Sequence, residues 1–345
     1  MVKRILVTAV ICTSVGAIQE VHGQTGITSV PFLRITPDAA SSGMGSAGVT
    51  SLRGVNGGWY NPSLLGWQSQ PKVGLTHANW LPALSLDYYY DHLSAVIPVE
   101  SIGGVLGGNV TYFNLGGQIT RDAQGYTIGS FANYETAVSL SYGRRVGRHW
   151  AVGASGSYIH SSLASGLSVN GFQIRPGRSA SLSLGVSWRS LRYEFGNSEG
   201  QWRAGSSLSH FGAGIKYFDE QTRDPLPMTL RAGIGADLSG GDHRFTVAAD
   251  VSKLMARTER KIQDGDSSYV AMGPFKALVN SWGTVRVPGP SGGMSELTLG
   301  EQLMAGVGVE YGFKELFFAR AGYYHEDPAN GDRQFVSLGA GVQLA

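Results

Sequence analysis

From about Lys72 to the end of the chain, apolar and polar residues alternate with a period of two. That period places every second side chain on one face of an extended strand. In 244–252, Phe245, Val247, Ala249 and Val251 share one face, and Thr246, Ala248, Asp250 and Ser252 the other. In 229–238, Leu230, Ala232, Ile234, Ala236 and Leu238 oppose Thr229, Arg231, Gly233, Gly235 and Asp237. Ala180, Leu182, Leu184, Val186 and Trp188 repeat the pattern, as do Val336, Leu338, Ala340, Val342 and Leu344. A slip of one residue would invert each strand, so the two faces are well specified. The alternation predicts twelve strands, at 72–80, 85–97, 104–114, 132–145, 149–160, 180–191, 207–218, 229–238, 244–253, 300–313, 316–326 and 333–345. Two more could sit in 46–56, 192–206 or the long loop at 254–299, which would make fourteen. Connections alternate between tight turns (98–103, 146–148, 239–243, 313–315) and longer loops (115–131, 161–179, 219–228, 254–299, 327–332). Only 192–206 is too long for its place in that alternation.

Composition decides what kind of sheet this is. Charged residues make up 15 % of the chain and glycine contributes 50 residues. A soluble globule carries about a quarter charged residues, and a helical membrane protein shows apolar runs of about 20 residues. The chain has neither feature. The expectation is an all-β fold, a transmembrane antiparallel β-barrel of 12–14 strands with its apolar face to lipid and a polar lumen. A soluble β-sandwich would turn the large apolar residues inward and carry more charge outside. By the alternation of turns and loops, the C-terminus is periplasmic and the 254–299 loop external. That loop is too long to be a mere connection. Its Phe275, Trp282, Val285, Val287 and Pro288 form either a candidate partner-docking surface or the apolar packing of a loop folded over the barrel mouth.

The first residues read as a secretory signal. Lys3 and Arg4 precede an apolar core from Ile5 to Ile18, and the small Gly23 suits cleavage before Gln24. The single cysteine, Cys12, would leave with it, removing disulfides and thiolate chemistry from the mature chain. The net charge is +2, or +1 after such cleavage, and gives no reason to expect nucleic acid. The basic cluster Arg144, Arg145 and Arg148 falls in a short turn and reads as a solvated rim. Between Thr25 and about Gln70 the chain is rich in Gly, Ser, Ala and Pro and has no clear period.

No catalytic constellation stands out. Gly43-Met44-Gly45-Ser46-Ala47-Gly48 fits G-x-G-x-x-G, but no strand precedes it and Val49-Thr50-Ser51-Leu52 is a poor helix start. Glycines that allow close packing inside a barrel account for it better. His325-Glu326 lacks the second histidine of a zinc motif, and Asp327-Pro328 follows as a turn. No nucleophile elbow is present. The chain is therefore expected to be no enzyme and to use no cofactor or metal. Inward charges such as Arg231, Asp237, Asp250, Glu310 and Arg320 would either line a channel or pair across the lumen.

Several stretches resemble the PorV/PorQ family of outer-membrane components of the type IX secretion system. They are Val30-Pro31-Phe32-Leu33-Arg34-Ile35-Thr36-Pro37-Asp38-Ala39 with Ser42-Gly43-Met44-Gly45, then Tyr60-Asn61-Pro62, Thr111-Tyr112-Phe113-Asn114-Leu115-Gly116, and Gly214-Ile215-Lys216-Tyr217. Ala249-Asp250-Val251-Ser252-Lys253-Leu254, Val309-Glu310-Tyr311 and the run from Arg320 to Glu326 continue the series. Asn61-Pro62 is shared more loosely with FadL-type fatty-acid transporters. That wider resemblance implies a fourteen-stranded barrel whose lumen holds residues 24–70 as a hatch, with Gly43, Met44, Gly45, Asn61 and Pro62 as its motif. The family resemblance implies a shuttle rather than an enzyme. Its partners would be outer-membrane lipid, the C-terminal signal domain of secreted cargo, a large translocon barrel and a PorU-like sortase. A FadL-like transporter of hydrophobic small molecules and a lipid A deacylase are the alternatives on the same barrel.

Overall fold

The computed structural model describes residues 28–343, apart from 52–53, 85–86, 122–123, 164, 166–167, 170–171, 218–222, 264–265 and 289–293. The expected signal peptide (1–23) and Leu344 lie outside the described residues. One antiparallel sheet dominates. Its long strands are β1 (Lys72–Asn79), β2 (Tyr89–Val99), β3 (Gly104–Arg121), β4 (Thr127–Val146), β5 (Trp150–Ser162) and β6 (Gly177–Arg189). They continue with β7 (Ser198–Gly212), β8 (Thr229–Gly240), β9 (His243–Leu254), β10 (Leu303–Phe313), β11 (Phe317–Glu326) and β12 (Gln334–Val342). Each pairs with the next in sequence order, and a three-residue strand, Tyr193–Phe195, adds to the edge of β7. No described helix is long and apolar enough to cross a membrane.

The twelve strands stand where the alternation predicts them, with one correction. The strand expected at 207–218 runs from Ser198 to Gly212. Its first half pairs Gly200 with Leu238 and Arg203 with Gly235, which shortens the connection that looked too long. Of the two further strands that would make fourteen, one is in the sheet as the short Tyr193–Phe195 within 192–206, and no second one joins it among the described residues. Residues 46–51 and 54–56 hold no strand, and the long connection after β9 folds into two hairpins of its own, Thr258–Gln263 with Asp266–Ala271 and Val285–Pro288 with Met294–Leu297. The hairpin β3–β4 is the longest, with strands of 18 and 20 residues. A membrane crossing needs only about 9–11.

The sheet is inside-out relative to a soluble protein. On one face Leu75 (74 %), Leu140 (69 %), Ile234 (60 %) and Val336 (72 %) are exposed. On the other, His92 (0 %), Glu135 (2 %) and Asp250 (7 %) are buried. Register explains the uniformity: Val247 pairs with Ala236 and Val309, so neighbouring strands present the same face in step. Two bands of rings edge the apolar face. Trp150, Trp188, Trp202, Phe245, Tyr311 and Phe317 lie towards the short turns, and Tyr89, Tyr112, Tyr134 and Tyr323 towards the long connections.

Candidate functional site

The segment before β1 lies against the polar face and meets every long strand. It begins at the long-connection end, where Pro31–Arg34 form a single 3-10 turn. Val30, Phe32 and Leu33 pack there on Tyr90, Phe113, Ala137 and Ile159. Asp38 caps a one-turn helix, Ala39–Ser42, by accepting the Ser41 amide at 2.8 Å. Burial raises the Asp38 carboxyl above its ordinary pKa. Burial also raises the Tyr60 hydroxyl well above its own.

Gly43-Met44-Gly45 then crosses β12, β11 and β10. A Cβ on Gly339 would press on Gly43, and one on Gly308 or Gly322 would overlap Met44. Gly45 has φ +63°, and a side chain there would strike the Tyr323 backbone. The Gly45 amide donates to Ser337 Oγ at 3.1 Å. Asp250 on β9 receives the Gly48 and Val49 amides at 2.6 and 2.8 Å. Arg203 on β7 donates to the Thr50 carbonyl at 2.7 Å, and Ser207 to the Tyr60 carbonyl at 2.7 Å. Asn61 and Pro62 sit over β5–β7: Asn61 Nδ2 donates to the Val186 carbonyl at 3.0 Å, and a Cβ on Gly153 would overlap the Pro62 carbonyl. Ser63 and Trp67 both donate to Ser187 Oγ, and the Arg189 guanidinium stacks on Trp67 at 3.9 Å. Leu65 fills the spaces over Gly107 and Gly143, and Val55 the space over Gly74. G-x-G-x-x-G here is a path of close backbone approach with no phosphate-binding helix behind it.

Two cavities lie on either side of this segment, with Tyr60 in the wall of both. The outer one, at the long-connection end, holds about 530 Å³ and the inner one about 550 Å³. The inward charges mostly pair: Arg320 with Glu310 at 2.7 Å, and Arg203 and Arg244 with Asp237 at 3.0 and 3.4 Å. Glu326 points inward to Arg34 at 3.5 Å and to Arg333. Its neighbour His325 is on the opposite face beside Tyr323, so the two cannot act as one metal pair. Burial, followed by the like charge of Arg333, lowers the Arg34 pKa. Sequence reading missed the Arg34–Glu326–Arg333 cluster because Arg34 is far along the chain from the other two. Only the order of the strands brings them together.

A serine and a histidine do meet, at Ser94 and His92, with Oγ and Nε2 2.8 Å apart. Thr111 rather than a carboxylate contacts the other ring nitrogen, and both residues are buried on the polar face, away from the apolar exterior. Among the described residues no group of three His, Cys, Asp or Glu side chains could hold a metal ion.

The candidate docking residues fall on two separate elements and the link between them. Phe275 is the second residue of a seven-residue helix, Pro274–Asn280, is 74 % exposed, and meets the Phe211 ring edge-on at 4.7 Å. Trp282 follows it, also exposed. Val285 is half-buried, and it begins the hairpin strand that also carries Val287 and Pro288. The connection is fastened from below by Ala277 on Met228 and Met255. Gln302 Nε2 also fastens it, at 3.0 Å from the Gly283, Leu297 and Thr298 carbonyls.

A comparison with protein families matches residues 19–261 to the family described as type IX secretion system protein PorV. No curated protein matches the chain. Solved structures similar to it include the toluene transporter TodX of Pseudomonas putida, at 12 % identity and TM-score 0.38 over 88 % of this chain and 87 % of that one. They also include the CymD monoaromatic hydrocarbon channel, at 13 % identity and TM-score 0.36 over 88 % of this chain and 95 % of that one. The family match spans more than half of the sequence, and the chain belongs to the PorV family of type IX secretion system proteins.

Proposed function

We propose that the chain is a closed, plugged outer-membrane barrel that serves type IX secretion as a docking and shuttle component. It would take cargo from a large translocon barrel by the cargo's C-terminal signal domain and deliver it to a PorU-like sortase. The observation that carries the reading is the inverted sheet in a chain of this family. An apolar belt this continuous would be an aggregation surface in water and matches the lipid-facing band of a barrel, with ring girdles at its two borders.

Three features support closure. Twelve is an even number, so β1 and β12 run antiparallel as neighbours in a closed sheet must. Gln70 and Lys72 from one edge and Val342 and Gln343 from the other line the same inner cavity. Thr50 meets Gly235 on β8 and Val55 meets Gly74 on β1; a flat sheet at about 5 Å per strand would hold those strands about 35 Å apart, against the ~18 Å that five residues span. The segment at 28–67 is the hatch, with Gly43, Met44, Gly45, Asn61 and Pro62 as its seating motif. The Phe275 and Trp282 side of the external connection is the docking surface.

The test is a mild-detergent pull-down of the tagged protein from its native outer membrane, with mass spectrometry of what accompanies it. A very large barrel, a sortase or secreted proteins sharing a C-terminal β-domain are expected. The barrel alone, carrying bound apolar molecules, would overturn the shuttle in favour of a transporter.

A further inference from the structure

The register of the sheet shows where the connection after β9 rests. Its helix, Pro274–Asn280, seats Ala277 on Met228 and Met255, and this cluster packs on Leu208, Phe211 and Leu230. All three belong to the outer, apolar face: Leu208 pairs with Leu184, Phe211 with Leu182, and Leu230 with Leu208. Leu182 and Leu184 are exposed members of the same belt. The connection therefore folds down beside the sheet, against the belt, and not over the polar face.

Lys253 fits this placement. It stands opposite Leu230 and Leu303 in the outer row, yet it is buried, and its ammonium donates to Gln302 Oε1. A charge turned to an apolar side is tolerated where polar groups cover it, and the connection supplies them. From Phe245, in the ring band near the short turns, to Lys253 is nine residues of β9, and a crossing takes about 9–11. The connection is thus seated one crossing away from that band, at the opposite border of the belt.

The helix has two sides. Ala277 and Ser281, one turn apart, are its buried side. Phe275, Val279 and Trp282 form an exposed stripe, and Phe275 also meets Phe211 of the belt edge-on. Apolar surface is unfavourable in water, and a stripe continuous with the belt meets the same medium as the belt. We propose that lipid of the outer leaflet covers the Phe275–Val279–Trp282 stripe, which makes the connection an interfacial anchor lying in the headgroup border. Trp282 takes the place that tryptophan holds at such borders, and the exposed Lys276 offers a cation to headgroup phosphates. The anchor rests on the outer-membrane part of the proposed function and adds to it: lipid occupies the stripe until a partner displaces it.

The experiment places one fluorescent label at a time on the full chain in lipid nanodiscs. Cys12, the only cysteine, is first replaced by serine. An NBD label is then attached at Phe275→Cys or Val279→Cys, at Ile234→Cys in the belt, or at Tyr126→Cys at the tip of the longest hairpin. The quencher is phosphatidylcholine with a nitroxide near the top of its acyl chain. The Phe275 and Val279 labels are expected to be quenched as strongly as the Ile234 label, and about twofold or more beyond the Tyr126 label. Emission from both that matches Tyr126 while Ile234 is quenched overturns the anchor and leaves the barrel standing. Blue-shifted but unquenched emission means that protein, a second copy or this chain itself, covers the stripe, and overturns the anchor too. If Ile234 is not quenched either, the outer-membrane reading itself falls, and the anchor with it.

Discussion

The segment at 28–67 and the connection at 255–302 are comparable in length, and neither belongs to the main ladder. They are held by different means. The first meets all twelve strands through backbone amides, buried polar side chains and glycines at van der Waals distance. The second is fastened at a few points, chiefly Ala277 on two methionines and the Gln302 amide, and turns Phe275, Val279 and Trp282 outward. Polar bonds in a buried place fix one arrangement, because each lost partner leaves an unpaired group behind. Apolar side chains held in the open fix nothing and remain available to a partner. The first region is built to stay seated, the second to present a surface.

The comparison breaks most sharply at the glycines. Gly322→Leu places a side chain where Met44 and Gly45 already lie, and should cost about 3 kcal/mol or more. A lowered urea midpoint and new trypsin cleavage after Arg34 in the folded barrel would report it. Asp250→Ala removes the acceptor of two buried amides and should cost about 2–3 kcal/mol. Asp250→Asn should recover part of that loss in the same unfolding measurement. Phe275→Ala combined with Trp282→Ala should change stability by less than about 0.5 kcal/mol, as surface truncations do. It should still weaken retention of secretion partners by about tenfold or more in the pull-down. An equal loss of stability in the second and third tests would erase the distinction between the two regions.

The smallest effect concerns pH. The raised pKa of Asp38 means that the folded state binds its proton more readily than the unfolded chain does. Its contribution therefore strengthens as pH falls through the raised value and is lost as pH rises through it. Asp38→Asn should flatten that part of the stability curve by less than about 1 kcal/mol, measured by urea unfolding from about pH 4 to about pH 7.

Strands whose outward positions carry branched or aromatic residues were legible from the sequence, as β8, β9 and β12 are. The start of β7 was not, because Ser198 to Ser206 offers only Trp202 and Ala204 to the outer face. Small residues on both faces hide a period of two. The same property conceals why the glycines are where they are. Gly153, Gly308 and Gly322 look like ordinary spacers until the backbone of residues 28–67 is found against them. The inward charges Asp237, Asp250, Glu310 and Arg320 could be read from register, but their partners could not. Pairing depends on which strands become neighbours and on where residues 28–67 lie.

That residues 28–67 contact β1 and β12 alike bears on how the molecule is made. Residues 28–67 are synthesised ahead of every strand, yet their resting place does not exist until the last strand has joined. The earliest-made part of the region is therefore the last to settle. Until then Phe32, Leu33 and Leu65, all buried in the folded protein, lack the surface that covers them. In the proposed barrel, closure of the sheet and filling of its interior become a single event, and a chain truncated before β12 would leave part of residues 28–67 without its seat.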